Sequence, residues 1–209
     1  RSMLSTGTSE TLLASLKWPI EYMMVGLQPV FNTAQPSTAS FVVNGGNVNV
    51  WRDWHRMTRQ VQAVDNIPTV SSIISNDKAV NSVSNIGQIA PNNYWLPVST
   101  IDSLSLKSHG ITIFDNFSDT FFNQYMPYHY GVKEIVTPSD TGCMFINLSL
   151  FPRTYQPAGH LNISRARETY LNITSSYCGN NTNCQLIIVA VAINFILISD
   201  GSAVLRYST

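Results

Sequence analysis

Charge is what this sequence has least of. Lys, Arg, Asp and Glu make up 11% of its 209 residues, against roughly 25% in ordinary soluble domains. Its 12 basic and 12 acidic residues cancel to a net charge of zero. No Lys/Arg block breaks the balance, so the footprint needed to neutralise nucleic-acid phosphates is missing and genome contact is not expected. Cysteine is scarce as well. Cys143, Cys178 and Cys184 are the three present, with no Cys-x-x-Cys pair, which argues against a thiolate metal site. Long apolar runs are also lacking: the longest, Leu186 to Ile198, holds thirteen residues interrupted by Asn194. A membrane-spanning helix needs about 20, so this run reads as a buried strand and no direct membrane insertion is expected.

Signatures of catalysis are missing too. There is no G-x-S-x-G elbow, P-loop or dinucleotide fingerprint. The four histidines, His55, His109, His129 and His160, form no His-x-His pair and no helical His-x-x-x-His spacing. A cupin-like metalloenzyme would want a close histidine pair with an acidic partner. No catalytic, cofactor-binding or metal-binding residue is therefore assigned, and the chain is not read as an enzyme.

What the sequence does hold is uncharged polarity and a large apolar fraction. Ser, Thr and Asn supply 60 of the 209 residues, while 44% are hydrophobic and 11% aromatic. That suffices for a sizeable core and leaves scope for large contacts between subunits. The length suits one large all-β domain. No signal peptide opens the chain, and a start at Arg1 reads as a fragment of something longer.

Along the chain, residues 1–15 are Ser/Thr/Gly-rich at first and read as a linker, with Ser9 capping a short turn that carries Leu12, Leu13 and Leu16. Lys17 to Phe31, with Pro19 and Pro29 near its ends, suits a long strand. Residues 32–50 and 66–100 read as long loops rich in turn residues. Ser103 to Phe114 alternates on either side of His109-Gly110. Ser118 followed by Phe121, Phe122, Tyr125 and Met126 has helical spacing, with Pro127 as its stop. Met144 to Phe151, Asn162 to Thr174 and Gln185 to Ser199 read as strands. In the last of these both faces are apolar, so both must be covered. Asp200-Gly201 is a hairpin signal returning Ser202 to Tyr207.

Other candidates have bland readings. Cys178 and Cys184 flank a Gly-Asn-Asn-Thr-Asn loop that can bring their sulfurs together, and a reducing compartment would leave them as two thiols. Arg165, Arg167 and Glu168 read as register-holding ion pairs rather than a ligand clamp. Trp51, Trp54 and His55 read as core or interface packing, with a sugar-stacking site as the alternative. Sequons at Asn116, Asn147, Asn162, Asn172 and Asn180 follow from an Asn/Ser/Thr-rich composition, and only Asn180 sits in a loop fit to carry a glycan.

The run Tyr155-Gln-Pro-Ala-Gly-His-Leu-Asn-Ile-Ser-Arg-Ala-Arg-Glu places Pro157 and Gly159 where a type I turn wants its second and fourth residues. It resembles the late signature of double jelly-roll major capsid proteins of nucleocytoplasmic large DNA viruses, of the asfarvirus and faustovirus type. Leu16-Lys-Trp-Pro-Ile-Glu-Tyr-Met23, Arg52-Asp-Trp-His55, His109-Gly-Ile, Pro127-Tyr-His-Tyr-Gly131 and the ending Gly201 to Thr209 stand in the same order as similar segments of that family. The likeness covers roughly residues 13–31, 51–57 and 101–209.

The resemblance implies an all-β fold, an antiparallel eight-stranded jelly-roll sandwich with long inter-strand loops and one short helix. Residues 16–209 would be a C-terminal jelly roll, joined through 1–15 to a missing upstream one. It also implies a structural capsid protein: a homotrimer forming pseudo-hexagonal capsomers that meet neighbouring capsomers and minor capsid proteins. The expected location is the outer capsid of the virion, assembled in the host cytoplasm. Loops 32–50 and 66–100 would form the outward crown. Trp18, Trp54, Tyr128 and Tyr130 are expected in the core or at subunit contacts. The alternative from a different class is a carbohydrate-binding jelly-roll module used in host attachment, working through the tryptophan cluster.

Overall fold

The computed structural model describes residues 2–4, 7–33, 40–43, 46–49, 55–64, 93–131, 135–166, 168–179 and 182–206. The chain separates into two compact units, one of Arg1–Arg59 with Ser99–Thr209 and one of Gln60–Val98. In chain order, β1 (Ser2–Leu4), β2 (Thr8–Leu12) and β3 (Pro19–Pro29) precede a short helical turn, α1 (Val30–Thr33), and a hairpin of β4 (Ser40–Val43) and β5 (Gly46–Asn49). The smaller unit is built on β6 (Thr58–Val64) paired with β7 (Asn93–Ser99). Then come β8 (Ser103–Ser108), β9 (Ile111–Ser118), a π-helical stretch (Phe121–Tyr125) running into α2 (Met126–Tyr130), and β10 (Cys143–Asn147). The chain continues through β11 (Leu161–Asn162), β12 (Thr169–Thr174), β13 (Cys184–Ala192), β14 (Ile196–Ser199) and β15 (Ser202–Leu205).

Eight of these strands make the sandwich of the larger unit. One sheet runs β1-β13-β3-β10, with β11 added beside β3; the other runs β2-β12-β8-β9. Counted among themselves in chain order, the eight read 1-8-3-6 and 2-7-4-5, the interleaving of two Greek keys that defines a jelly roll. Every pairing is antiparallel, so alternate residues share a face. Met23, Val25 and Leu27 of β3 stand beside Ala190, Ile188 and Leu186 of β13. Leu104 and Leu106 of β8 stand beside Ile173 and Leu171 of β12. These side chains belong to one buried hydrophobic cluster, which is the core the apolar fraction implied.

Two reversals carry the turn chemistry their sequences announce. His109-Gly110 joins Ser108 to Ile111, and Asp200-Gly201 joins Ser199 to Ser202. Positive φ at both turn residues, 51° and 75° in the first and 51° and 77° in the second, makes each a type I′ hairpin turn.

Several expectations need correction. Residues 2–4 and 8–12, read as part of a linker, are strands: Ser2 pairs with Leu186 and Thr8 with Thr174. The helical turn expected at Leu12–Leu16 is the end of β2 and a tight turn, with the Leu16 N–H donating to the Leu13 carbonyl at 2.9 Å. Asn162 to Thr174 is not one strand, because residues 163–165 form a turn in which Asn162 Oδ1 accepts from the Ser164 N–H and hydroxyl. That side chain competes with the ladder for backbone donors. Tyr155 to Gly159 does not hold the expected type I turn. The reversal lies upstream at Pro152-Arg153, where Arg153 takes φ of 61°. The buried Glu21 carboxylate accepts the Arg153 N–H at 2.9 Å, and Leu150 N–H closes the loop onto the Ala158 carbonyl.

Pro127 does not stop the helix. Proline removes an N–H and crowds the carbonyl four residues back. Here the preceding turn widens to π geometry, with Met126 N–H donating to the Phe121 carbonyl, and the chain continues as α2 through Pro127. The widened turn closes the open side of the sandwich between β9 and β10. Phe122, fully buried, meets Phe114 of β9 edge-on at 5.7 Å. Buried Asn123 donates through Nδ2 to the carbonyls of Asp140 at 2.9 Å and Cys143 at 2.8 Å, and Met126 Sδ accepts the Asn147 N–H at 3.2 Å.

Asp140 also holds the segment crossing the top of β3. Its carboxylate accepts the Met57 N–H at 2.7 Å and the Gly142 N–H at 2.9 Å. The hydroxyl of fully buried Thr100 lies 2.6 Å from the Leu27 carbonyl and 2.9 Å from that of Met57. A Cβ at Gly142 would run into the Met57 carbonyl, whereas one at Gly110 would meet open space at a φ of 75°. We predict that Gly142→Ala costs roughly 2–3 kcal/mol through this overlap, and Gly110→Ala about 1 kcal/mol through φ strain alone. Urea denaturation of both variants measures the difference; equal losses would show that Met57 does not press on Gly142.

Candidate assembly surface

The surfaces of interest are those where the alternation that builds the core leaves apolar side chains outside it. The outward residues of β13 are Gln185, Ile187, Val189 and Val191, next to Gln28, Gly26, Met24 and Tyr22 of β3. On the same face, Phe145 of β10 stands beside Met24 and its ring lies 5.6 Å from that of Tyr22. Phe145 is fully buried, Tyr22 and Met24 are half-buried, and Val189 is 57% exposed. This face is covered within the chain at β10 and β3, where Phe145 joins the buried cluster and Gly26 and Gln28 are buried, and is bare at Val189 of β13.

Past Ala192 the ladder breaks: a register shift follows Val191, and the Ile193 N–H reaches the Pro19 carbonyl. Beyond it β14 and β15 pair with each other as a two-stranded sheet of their own. Ile196, Leu197, Ile198, Val204 and Leu205 are all more than half exposed. In register, Leu197 pairs with Val204, and Ile196 and Ile198 pair with Leu205 and Ala203, so both faces of the ribbon are apolar. An isolated hairpin of this size is marginal in water.

A second exposed apolar surface lines the helical segment. Phe117 and Phe121 stack at 4.4 Å, Phe121 and Tyr125 at 5.3 Å, and Tyr125 meets His129 at 4.3 Å. The rings form a ledge over a groove of about 740 Å³ lined by Phe121, Gln124, Tyr125, Tyr128 and His129. Tyr128 is 79% exposed. Of the four aromatics expected in the core or at contacts, Trp18, Tyr128 and Tyr130 lie on the surface of the chain, not in its core. Trp54 lies outside the described residues, as do Trp51 and Arg167.

Charged and polar candidates do not converge. His55, His109, His129 and His160 are exposed, and among the described residues no group of three His, Cys, Asp or Glu side chains could hold a metal ion. Arg165, in the 163–165 turn, and Glu168, just before β12, are both exposed and neither lies in a strand. Asn116 takes φ of 46° and accepts from the Ser103 hydroxyl, and Asn147 donates to the Ser149 carbonyl at 2.6 Å. Asn180 lies outside the described residues. No helix among the described residues is long and apolar enough to cross a membrane.

The cysteines are free thiols. Cys178 and Cys184 are both buried, and burial together with a hydrogen bond to Cys178 pushes the Cys184 thiol well above its ordinary range. Tyr177 beside them is raised by burial, while Arg59, 5.3 Å from the ring centre, opposes the rise. Burial, with the Asp140 carboxylate adding to it, pushes Cys143 up to about 11.

Two outcomes follow from these environments. Truncating exposed Tyr128 to Ala should change the stability of the folded chain by no more than about 0.5 kcal/mol, which thermal melting checks; a core-sized loss would mean the ring is buried after all. The native state holds the Cys143 proton more tightly than the unfolded chain. Its contribution to stability is therefore complete below the ordinary thiol value of 9.0 and is lost as pH climbs through about 11. Alkylation of native Cys143 should accordingly rise about tenfold per pH unit from pH 8 to beyond pH 10; a plateau near pH 9 would contradict the assigned environment.

Comparison with known proteins follows the same outline. Residues 5–204 match the family model of the large eukaryotic DNA virus major capsid protein. Over 205 residues, 96% of the chain, it is 42% identical to the hexon protein p72 of African swine fever virus strain Badajoz 1971 Vero-adapted, and equally so to the major capsid protein of isolate Warthog/Namibia/Wart80/1980. The chain spans 30% of the length of these curated relatives. Its fold superposes on the Faustovirus major capsid protein with a TM-score of 0.67 at 35% identity, covering 95% of this chain and 32% of that one. The PBCV-1 virus capsid shares the fold with a TM-score of 0.59 at 17% identity, covering all of this chain and 49% of that one. The jelly-roll order of the eight strands, the 42% identity over 96% of the chain and the family match over nearly the whole chain have one meaning: this chain belongs to the major capsid protein family of large eukaryotic DNA viruses.

Proposed function

We propose that this chain is the C-terminal jelly roll of a subunit carrying two, and that three such subunits form a pseudo-hexagonal capsomer in the outer shell of an icosahedral virion. The observation that carries the reading is the bare apolar wall. A jelly roll that leaves Val189 of its outer face bare, and Ile196, Leu197 and Ile198 of the ribbon beyond it exposed, is complete only when another body covers them. Membership of a capsid family supplies the kind of body, another jelly roll. Six barrels in a three-fold ring give near six-fold sides, so one set of lateral contacts can repeat between neighbouring capsomers. In this reading residues 1–15 carry the connection from the upstream jelly roll while lending β1 and β2 to the sheets. Residues 16–209 form the rest of the domain, and loops 32–50 and 66–100 make the outward crown, apart from strand β7 (Asn93–Ser99) and fully buried Thr100; residues 66–92 lie outside the described residues. Minor capsid proteins bind the assembled capsomer, and assembly takes place in the host cytoplasm.

The test is the native mass of the full-length protein, by size exclusion with light scattering. A trimer that persists on dilution is the expected result. A folded monomer at every concentration would overturn the capsomer reading.

A further inference from the structure

Three features have no specific role in the reading so far: the Cys178/Cys184 thiol pair, the aromatic groove beside α2 and the β14–β15 ribbon, which that reading uses only as surface to be covered. The thiols are buried and raised, which disfavours the thiolate that exchange chemistry needs. The other two are alike in chemistry. The ribbon is exposed on both faces and the groove is shallow and open; both are mainly apolar, and both are uncovered in the same molecule.

Size comes first. Val189, Ile196, Leu197, Ile198, Val204 and Leu205 are between 51% and 77% exposed. The ribbon face carrying Ile196, Ile198 and Leu205 alone bares on the order of 350 Å², the centre of a contact rather than the whole ~800 Å² per partner of a standard protein interface. Charge comes second. From Val189 to Leu205 the one charged residue is Asp200, at the ribbon's tip, and the groove lining of Phe121, Gln124, Tyr125, Tyr128 and His129 holds no acidic or basic side chain beyond the histidine. Copies of a chain with zero net charge meet without repulsion.

Placement decides between self-contact and contact with a second copy. The ribbon leaves from β13, which stands across β3 from β10, whereas the groove flanks the helical segment bridging β9 to β10. Two different surfaces at different places on one molecule make a heterologous contact, and a three-fold rotation closes such contacts into a ring in which every copy uses both. We propose that the β14–β15 ribbon of one copy docks into the Phe121–His129 groove of a second copy. This rests on the trimeric reading above and adds the element that joins one subunit to the next. Ile196 and Ile198 on one face of the ribbon and Tyr128 and Tyr125 in the groove are the central contacts, aromatic rings against branched aliphatic side chains with a polar rim from Gln124 and Asp200.

The experiment uses the full-length protein with a benzophenone amino acid replacing Ile198. Irradiation of the trimer should yield chain-to-chain adducts whose crosslinked peptide falls within residues 118–137. A trimer whose probe reacts only within its own chain, or with another part of the neighbour, overturns the proposal and leaves the capsomer reading standing; a protein that is monomeric throughout overturns both. Ile198→Asp and Tyr128→Asp should each raise the concentration at which the trimer dissociates by roughly tenfold or more. The double variant should be little worse than either single one, because both remove the same contact. Full additivity of the two losses would place the residues in separate contacts and reject the docking. Both variants change exposed positions, so the melting of the dissociated chain should not move.

Discussion

The pairing of β13 with β3 is the constraint on which the rest depends. Strand side chains alternate with period two, so an apolar strand either buries one face and shows polar residues on the other or has both faces to cover. Leu186 and Ile188 on one parity and Ile187, Val189 and Val191 on the other leave β13 no polar face. Register with β3 sends the first set into the sandwich beside Leu27 and Val25, and the second set outward. A one-residue slip would exchange the two sets without making either face polar. The folded chain therefore carries an apolar wall in any register, and the register selects which residues form it. Assembly is written into the same strand that closes the core.

The wall is useful only if it is held in a fixed shape, and the network at the end of the sandwich does that. Asp140 binds the Met57 and Gly142 N–H groups through its carboxylate and Asn123 through its carbonyl, while Thr100 bridges Leu27 and Met57. These bonds join five segments far apart in sequence at buried or half-buried sites, where a lost partner costs roughly 1–3 kcal/mol. Asn123 matters twice, because its second bond, to the Cys143 carbonyl, fixes the helical segment against β10. The aromatic ledge is thus held in place by hydrogen bonds on its buried side and left free to make contacts on its exposed one.

Much of this was legible in the sequence, and the failures share a cause. Alternation located β8 and β10, apolar runs located β3 and β13, and the Asp-Gly pair located the last hairpin, since these signals are local. Composition misread residues 1–15, because β1 and β2 are short strands that gain their stability from β13 and β12 rather than from their own residues. Pro127 misled in another way: a proline excludes one hydrogen bond, but a widened turn can absorb that loss when packing of Phe122 and Met126 holds both sides. The turn at 156–159 moved because a distant buried carboxylate, Glu21, captured Arg153, and no local pattern records such a partner. For the assembly surface the missed signal was visible. Ile196, Leu197 and Ile198 are consecutive apolar residues next to a two-residue turn, a place where a single sheet cannot bury both parities.

The shortage of charge then has a physical role. A shell protein must make the same contact many times, and each contact has to be weak enough to correct before the lattice closes. Ion pairs at such contacts would tie assembly to salt and require each pair to be matched in every copy. Apolar contact between uncharged surfaces has neither requirement, and its strength follows the area removed from water. Its cost is an exposed apolar wall on the free subunit, the usual mark of an aggregating protein. The surroundings of that wall limit the cost: Ser, Thr and Asn make up 60 of the 209 residues and keep the remaining surface hydrated without adding charge. A ribbon this apolar is tolerable on the free chain only because it is narrow and turns back on itself at Asp200-Gly201, so that partners reach it from defined directions rather than along an open sheet edge.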